Sequence, residues 1–211
     1  MFGLNKEEVK ILKSLNTPRK IQDFLNKIPI NFDEGGETCM SPRKVLRENK
    51  AQCMEGAMLA AAALRVNGEK PLVLDLTSVY HDFDHVICLF KRDGLWGAIS
   101  KTNHAVLRYR EPVYKTTREL VMSFFHEYFD DNGKKTLRSY TRPVDLSRFD
   151  HLNWMTSEKD VWEIPEYLAD VKHIPILTRK QIANLRKADD LEIESGKIVE
   201  WKDPKGKLKR I

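Results

Sequence analysis

The segment that most constrains the fold of this chain is residues 50–65. Polar residues lead up to Cys53, and an alanine- and leucine-rich run then continues to Asn67-Gly68. This pattern predicts a loop that leads into a buried helix with a glycine at its end. Cys53 opens that helix, where unpaired backbone N–H groups and the positive end of the helix dipole favour thiolate over thiol. The segment predicts either a nucleophile or a small apolar residue packed at a helix start.

The composition indicates a globular protein without a membrane segment. The chain has 211 residues, of which 41% are hydrophobic, enough to bury a sizeable core. The N-terminus lacks the features of an export signal, and the apolar run at residues 58–64 is too short to cross a bilayer. The three cysteines have the spacing of neither a metal site nor a disulfide framework. We therefore expect no metal, no other cofactor, no membrane partner and a reducing cytoplasm.

The charge distribution leaves the partners of the chain largely open. The net charge of +5 permits weak attraction to nucleic acid without requiring it. Basic residues concentrate at the C-terminus, where a solvated tail is the commoner explanation; they are Lys202, Lys205, Lys207, Lys209 and Arg210. We do not expect a nucleic-acid partner, and the sequence leaves the oligomeric state undetermined.

Turn and capping signals predict an α+β fold. Thr17-Pro18 and Ser41-Pro42 each predict the start of a short helix, and a further helix covers residues 6–15. Extended patterns follow at residues 71–77, 85–90 and 95–100, and the last two are joined by a tight turn at residues 92–94. This antiparallel hairpin brings residues 85 and 100 together at its open end. We expect an antiparallel sheet packed on the helix that carries Cys53.

The remainder of the chain gives weaker signals. A capping box at Thr116 predicts an amphipathic helix to residue 129, and Thr178 predicts another helix to residue 187. Residues 106–109 are a candidate strand, and residues 191–201 suggest a hairpin around Ser195-Gly196. We expect a core of residues 1–135, which includes the N-terminal helices, and a C-terminal extension of residues 136–211. Because the extension is rich in aromatic residues, we expect it to pack on the core.

His85 is the candidate general base for Cys53. It begins an apolar strand, from which its ring can project from the sheet end toward the helix start. A thiol and an imidazole together can attack an acyl carbon and protonate the leaving amine. The alternative is a histidine whose hydrogen bonds are satisfied at the sheet edge. Residues 81–85 contain potential metal ligands but lack a distant third ligand. Separately, the basic residues between 101 and 110 suggest either an anion-binding rim or a solvated edge.

A set of spaced residues resembles the core of the transglutaminase-like superfamily over about residues 41–103. These are Cys53-x-Glu55-Gly56-Ala57 on the alanine-rich helix, Asp84-His85-Val86 on a following strand, and Trp96 in the hairpin. The resemblance implies a papain-like core with Cys53 as nucleophile and His85 as general base. It also implies a peptide or small amide substrate, which is either hydrolysed or transferred to an amine.

One position departs from the family pattern. The aspartate that the family places after the tryptophan falls on Ser100. A serine brings no negative charge to an imidazolium, so Asn103 is a second candidate for the third catalytic group, as in a Cys-His-Asn site. Asp84 points to the opposite strand face from His85. The departure supports an alternative function, a catalytically inactive member of the superfamily that serves as a binding or scaffold module.

Overall fold

The computed structural model describes residues 1–32, 35–202 and 208–210, with the side chains of residues 1–32 and 35–200. The α-helices are α1 (Lys6–Ser14), α2 (Pro18–Lys27), α3 (Pro42–Glu48), α4 (Cys53–Val66), α5 (Thr117–Met122), α6 (Glu163–Asp170), α7 (Arg179–Ala183) and α8 (Asp190–Gly196). Short 3-10 helices cover Phe125–Glu127 and Leu146–Leu152. The strands are β1 (Leu72–Thr77), β2 (His85–Arg92), β3 (Leu95–Ile99), β4 (Arg110–Tyr114), β5 (Ser139–Thr141), β6 (Val144–Asp145), β7 (His173–Pro175), β8 (Glu200–Lys202) and β9 (Leu208–Arg210).

The predicted α+β class with an antiparallel sheet is confirmed. Seven strands form one open sheet in the order β4-β3-β2-β1-β5-β7, and β6 also pairs with β1. Asp93 and Gly94 join β2 to β3 with positive φ angles of 51° and 77°, the backbone of a tight hairpin turn. Within the described residues, no helix is both long and apolar enough to cross a membrane.

The central strands are buried on both faces. Val86 and Cys88 of β2 belong to the core layer that contains α4, whereas Ile87 and Leu89 belong to a second layer that contains Phe124. The layers alternate because successive side chains of a strand point to opposite faces. All of residues 57–64 of α4 are buried between the sheet and helices α1, α2 and α3. This burial on all sides accounts for an alanine-rich helix without a polar face.

The predicted helix starts near the N-terminus are confirmed. The Thr17 hydroxyl accepts a hydrogen bond from the Lys20 N–H, with Pro18 as the first residue of α2, and Ser41 caps α3 in the same way. Each cap satisfies one of the N–H groups that a helix start leaves unpaired. The predicted strand at residues 106–109 instead begins at Arg110, where β4 pairs with β3.

The C-terminal third contributes to the same sheet. Strands β5 and β6 pair with β1, and β7 pairs with β5. The boundary expected after residue 135 lies just before β5, so the chain on both sides of it builds one sheet. Trp154, which is 1% exposed, and Ile164 and Leu168 of α6 lie in the core layer of α4.

Three predictions for the later chain are wrong. The helix expected from Thr178 to residue 187 ends at Ala183. The hairpin expected around Ser195-Gly196 is helix α8, because Asp189 and Glu192 form a capping box that starts a helix. The helix expected through residue 129 ends at Met122 and is followed by a 3-10 turn. Residues 203–207 and 211 of the basic C-terminus lie outside the described residues, as do all side chains beyond residue 200.

Candidate functional site

The start of α4 holds Cys53 in a defined position. The Gln52 side-chain oxygen accepts a hydrogen bond from the Met54 N–H at 2.7 Å, and the Glu55 carboxylate accepts one from the Gln52 N–H at 2.9 Å. This capping box also satisfies the N–H of Glu55. Among the described residues, no hydrogen-bond acceptor is found for the backbone N–H of Cys53. The first turn therefore retains one donor beside the sulfur.

Glu55 ties the preceding loop to this helix start. Its buried carboxylate accepts hydrogen bonds from the Met40 N–H at 2.9 Å, the Thr38 hydroxyl at 2.7 Å and the Asn31 amide at 3.2 Å, besides that from Gln52. A buried carboxylate requires several such donors. Because its oxygens are occupied in this way, Glu55 supports the geometry of the helix start and is not available as an acid or base.

The Cys53 thiol lies against the beginning of β2. Burial raises its pKa above the ordinary value, and the carboxylates of Asp75 and Glu55 raise it further. The backbone N–H groups of Val86 and Met54, which lie near the sulfur, act in the opposite direction. Because burial outweighs these donors, the thiol is protonated at neutral pH.

His85 is buried, with 6% of its surface exposed, and its Nε2 lies 2.7 Å from the Ser100 hydroxyl oxygen. The Ser100 hydroxyl donates its one proton to the Leu107 carbonyl at 2.5 Å, so it must accept from Nε2–H. This assigns the ring proton to Nε2 and leaves the Nδ1 lone pair as the base. Burial, with a smaller contribution from His104, lowers the pKa of His85 to about 4, and the ring is neutral at pH 7.

Two further groups position the Ser100 hydroxyl. Gln22 of α2 accepts from the Ser100 N–H at 2.9 Å and donates to its carbonyl at 2.8 Å. Leu107 has a φ of +60°, a left-handed conformation that costs about 1 kcal/mol or more in a residue other than glycine. Its N–H donates to Glu127 at 2.7 Å, and Glu127 forms an ion pair with Arg110 at 2.6 Å. These contacts hold the Leu107 carbonyl beside Ser100.

Strand alternation puts the His85 ring and the layer of α4, the helix that Cys53 begins, on different faces of the sheet. The backbone of Val86, the residue after His85, lies close enough to the Cys53 sulfur to lower the pKa of the thiol. Val86 packs in the layer of α4. Ile87, two residues after His85 on the same strand, and Leu76, which pairs with His85 on β1, both pack in the other layer. Strand alternation directs the His85 ring away from α4. In the described part of the chain, the hydrogen bonds of His85 include Ser100 and not the thiol.

Asn103 takes no part in the hydrogen bonding of His85. Its backbone carbonyl accepts the N–H of Glu200 at 2.8 Å, and its carboxamide makes no hydrogen bond to the residues that the structure describes. The ring nitrogen is therefore paired with Ser100, the residue at the position where the resembled family has aspartate.

Asp75 of β1 is a neighbour of the thiol that sequence reasoning missed. It pairs with Val86 in the sheet, is 5% exposed, and accepts a hydrogen bond from the Thr77 hydroxyl at 2.8 Å. Burial raises the pKa of Asp75 to about 6. The signal in the sequence was a single acidic residue within an apolar strand pattern. Burying a carboxylate costs free energy, so a buried carboxylate is often retained for a local role.

Two of the basic residues between 101 and 110, Lys101 and Arg110, have structural partners. Lys101 is 3% exposed, and its ammonium group donates to the carbonyls of Leu25 and Ile28 at the C-terminal end of α2. A cation at this end of a helix satisfies carbonyls without intrahelical partners. Arg110 is paired with Glu127. Neither cation is available for an anion-binding rim beside Cys53.

The acidic loop before β2 contains the residues that the sequence offers as metal ligands. The Asp84 carboxylate accepts the Ser78 N–H at 2.8 Å and thus serves the loop itself. Over residues 1–32 and 35–200, the structure contains no group of three or more side chains suited to hold a metal ion.

The comparisons with known proteins do not identify a relative. No model of a known protein family matches the chain, and no curated protein is significantly similar to it. The functional argument therefore depends on the geometry around Cys53 and His85.

Proposed function

We propose that this protein is a thiol-dependent acyl-transfer enzyme that acts on an amide, with Cys53 as nucleophile and His85 as general base. The observation that carries the proposal is the chain of hydrogen bonds from His85 Nε2 to the Ser100 hydroxyl and on to the Leu107 carbonyl. It orients the imidazole and leaves Nδ1 able to accept a proton. A cysteine at a helix start, a histidine at the start of a strand and an orienting group after the next strand support a papain-like arrangement.

The proposed reaction begins from two neutral groups. The sulfur attacks the amide carbon while its proton passes to His85 Nδ1, and the carbonyl oxygen gains the charge. The N–H of Cys53, which has no acceptor among the described residues, would donate to that oxyanion. The protonated imidazole then transfers its proton to the departing amine, and water or a second amine cleaves the thioester. Proton transfer requires the ring and the thiol to approach one another, and hence a movement at the start of β2.

A second candidate function is the catalytically inactive binding or scaffold module. Three observations favour it: the pKa of the Cys53 thiol is raised, the pKa of His85 is lowered to about 4, and the His85 ring is bonded to a hydroxyl in place of a carboxylate. An activated Cys-His pair ordinarily holds its thiol at a lowered pKa.

Acylation of Cys53 distinguishes the two functions. The protein is incubated with a p-nitrophenyl ester between pH 5 and 9, and the acylated cysteine is identified by mass spectrometry. Cys39 and Cys88 serve as internal controls, because both are fully buried and burial raises their pKa values above the ordinary value. In an enzyme with a neutral base, the acylation rate changes little between pH 5 and 8, since His85 is already unprotonated there.

Substitution of the base completes the test. In the enzyme, His85→Gln lowers the acylation rate by about 100-fold or more, which is the range of general base catalysis. The remaining rate then rises about tenfold per pH unit, because only the thiolate form of Cys53 reacts. His104→Gln is the matched control, because His104 lies near His85 without a hydrogen bond to it in the described structure. If wild type and His85→Gln share the same thiolate-dependent profile, the acyl-transfer proposal fails and the inactive module is favoured.

We also infer a peptide or small amide as substrate and the cytoplasm as location. All three cysteines are unpaired thiols, which is typical of proteins in reducing compartments. The substrate class follows from the proposed chemistry alone.

A further inference from the structure

A groove of about 780 Å³ lies between β6 and the segment that joins α6 to β7. Strand β7 pairs with β5 as far as His173, whereas β6 pairs with β1. Strand β6 and the segment before β7 therefore separate beyond His173. Val144 of β6 lines the groove, together with Val171, Ile174 and Tyr167. Its volume lies within the range of about 300–1,000 Å³ that small-molecule sites occupy.

The groove carries three cations and one carboxylate. Arg142, Arg148 and Lys172 line it, together with Asp145, one oxygen of which already accepts the Ser147 N–H at 2.9 Å. In the described structure, none of these three cations has a carboxylate within ion-pair distance. Other arginines of the fold do have such partners; they are Arg43, Arg47, Arg65, Arg92 and Arg110.

One of the cations is held in place by an aromatic ring. The Arg148 guanidinium lies 4.0 Å from the centre of the Tyr167 ring and donates a hydrogen bond to the Tyr167 hydroxyl. Such stacking leaves other guanidinium N–H groups available to an oxyanion, because guanidinium has five donors. Arg148 is thus oriented before any ligand arrives, which lowers the entropy cost of binding.

We propose that this groove binds a small organic anion, in which a carboxylate or phosphate group is attached to an apolar body. The acidic group would contact Arg142, Arg148 and Lys172, since charge-assisted hydrogen bonds to guanidinium favour both head groups. The apolar body would pack against Val144, Val171 and Ile174. This inference is independent of the acyl-transfer proposal, because the groove contains neither Cys53 nor His85.

Three probes with the same apolar body test the proposal on the full-length protein. They are 2-naphthoate, 2-naphthyl phosphate and neutral 2-naphthol, titrated by calorimetry and by chemical-shift mapping. We expect at least one of the anions to bind about tenfold or more tightly than naphthol, the effect of one charge-assisted contact, and to shift signals of the groove. The two anions together show which head group is preferred. Equal binding of naphthol, or shifts confined to another surface, would overturn the proposal.

A pair of double variants separates the groove from overall charge. Arg142→Gln with Lys172→Gln removes two of the cations, and we expect it to weaken anion binding about tenfold or more while circular dichroism stays unchanged. Lys10→Gln with Arg19→Gln is the matched control, because these exposed residues lie on α1 and α2 and the net charge changes equally. Equal weakening in both double variants would show attraction by net charge alone and overturn the site.

Two further measurements define the ligand class. Cys53→Ala should bind the anions as wild type does, even if acylation is abolished, because the groove does not include the thiol. An acidic peptide that binds the groove when neither naphthyl anion does so would overturn the small-molecule assignment.

Discussion

Replacing Asp75 by asparagine should change how the stability of this protein depends on pH. Asp75 is buried opposite Val86 in the sheet, and its carboxylate accepts a hydrogen bond from the Thr77 hydroxyl. Asparagine has nearly the same shape and retains an oxygen acceptor for that hydroxyl. The substitution therefore removes an ionisation with little change in packing.

The magnitude follows from the pKa of the carboxyl group. Burial raises the pKa of Asp75 from 3.8 to about 6; Asp84 acts in the same direction, whereas Thr77 and His173 act against it. The unfolded chain loses this proton at lower pH than the folded chain, so stability falls as the pH rises from about 4 to 6. At about 1.4 kcal/mol per pH unit, ionised Asp75 lowers the free energy of unfolding by about 3 kcal/mol above pH 6.

His85 has the opposite effect over nearly the same range. Burial, followed by the charge of His104, lowers the pKa of His85 from 6.5 to about 4. The unfolded chain takes up this proton first, so the stability from a neutral His85 is present above pH 6.5 and is lost as the pH falls to about 4. Its contribution is also about 3 kcal/mol. In the wild type, the contributions of Asp75 and His85 therefore nearly cancel.

Urea unfolding at pH 4, 5, 6 and 7 measures the difference between variant and wild type. Relative to wild type, Asp75→Asn should gain about 3 kcal/mol in its free energy of unfolding between pH 4 and 7. The slope with pH is the diagnostic quantity, since the new amide donors change the absolute value by about 1–3 kcal/mol if they lack partners. Asp23→Asn, an exposed site on α2 with the same change of charge, is the control.

Parallel pH profiles for Asp75→Asn and wild type would refute the reasoning, because the carboxyl group would then have the same pKa in the folded and unfolded chain. The same variant should also lower the pKa of the Cys53 thiol, since the Asp75 carboxylate contributes to raising it. Faster alkylation of Cys53 by iodoacetamide at pH 7 is the expected result, and an unchanged rate would contradict this electrostatic contact.

The remaining predictions concern packing and hydrogen bonding near the helix start. Gly56→Ala should lower the free energy of unfolding by about 1–3 kcal/mol or more, because the new Cβ would lie 2.4 Å from the Cβ of Lys101. Gly35→Ala, whose Cβ meets none of the described atoms within 4 Å, is the control, and equal urea midpoints would contradict the packing argument. Ser100→Ala should cost about 1–3 kcal/mol in the same assay, since the His85 Nε2–H loses its acceptor. Wild-type stability of this variant would show that the ring finds another partner.

Much of the secondary structure could be predicted from the sequence because its determinants are local. The caps at Thr17 and Ser41 act on N–H groups three residues away, and the turn at Asp93 and Gly94 fixes the hairpin of β2 and β3. Cys53 opens α4 for the same reason, since the polar residues before it and the alanine-rich run after it are adjacent in the chain. Such signals fail when two local preferences compete, as in residues 190–196, where a capping box prevailed over a strand pattern.

The chemistry around Cys53 and His85 depended on contacts that the sequence does not display. The sheet is completed by β5, β6 and β7, whose pairing with distant strands has no local signature. Ser100 is held by Gln22, 78 residues earlier, and its hydroxyl is directed by a left-handed Leu107. The sequence by itself determined that a cysteine begins a buried helix and that a histidine begins a buried strand. Only the tertiary structure decided which side of the sheet each side chain faces and which groups are neutral, because pKa values depend on burial and on charges brought together by folding.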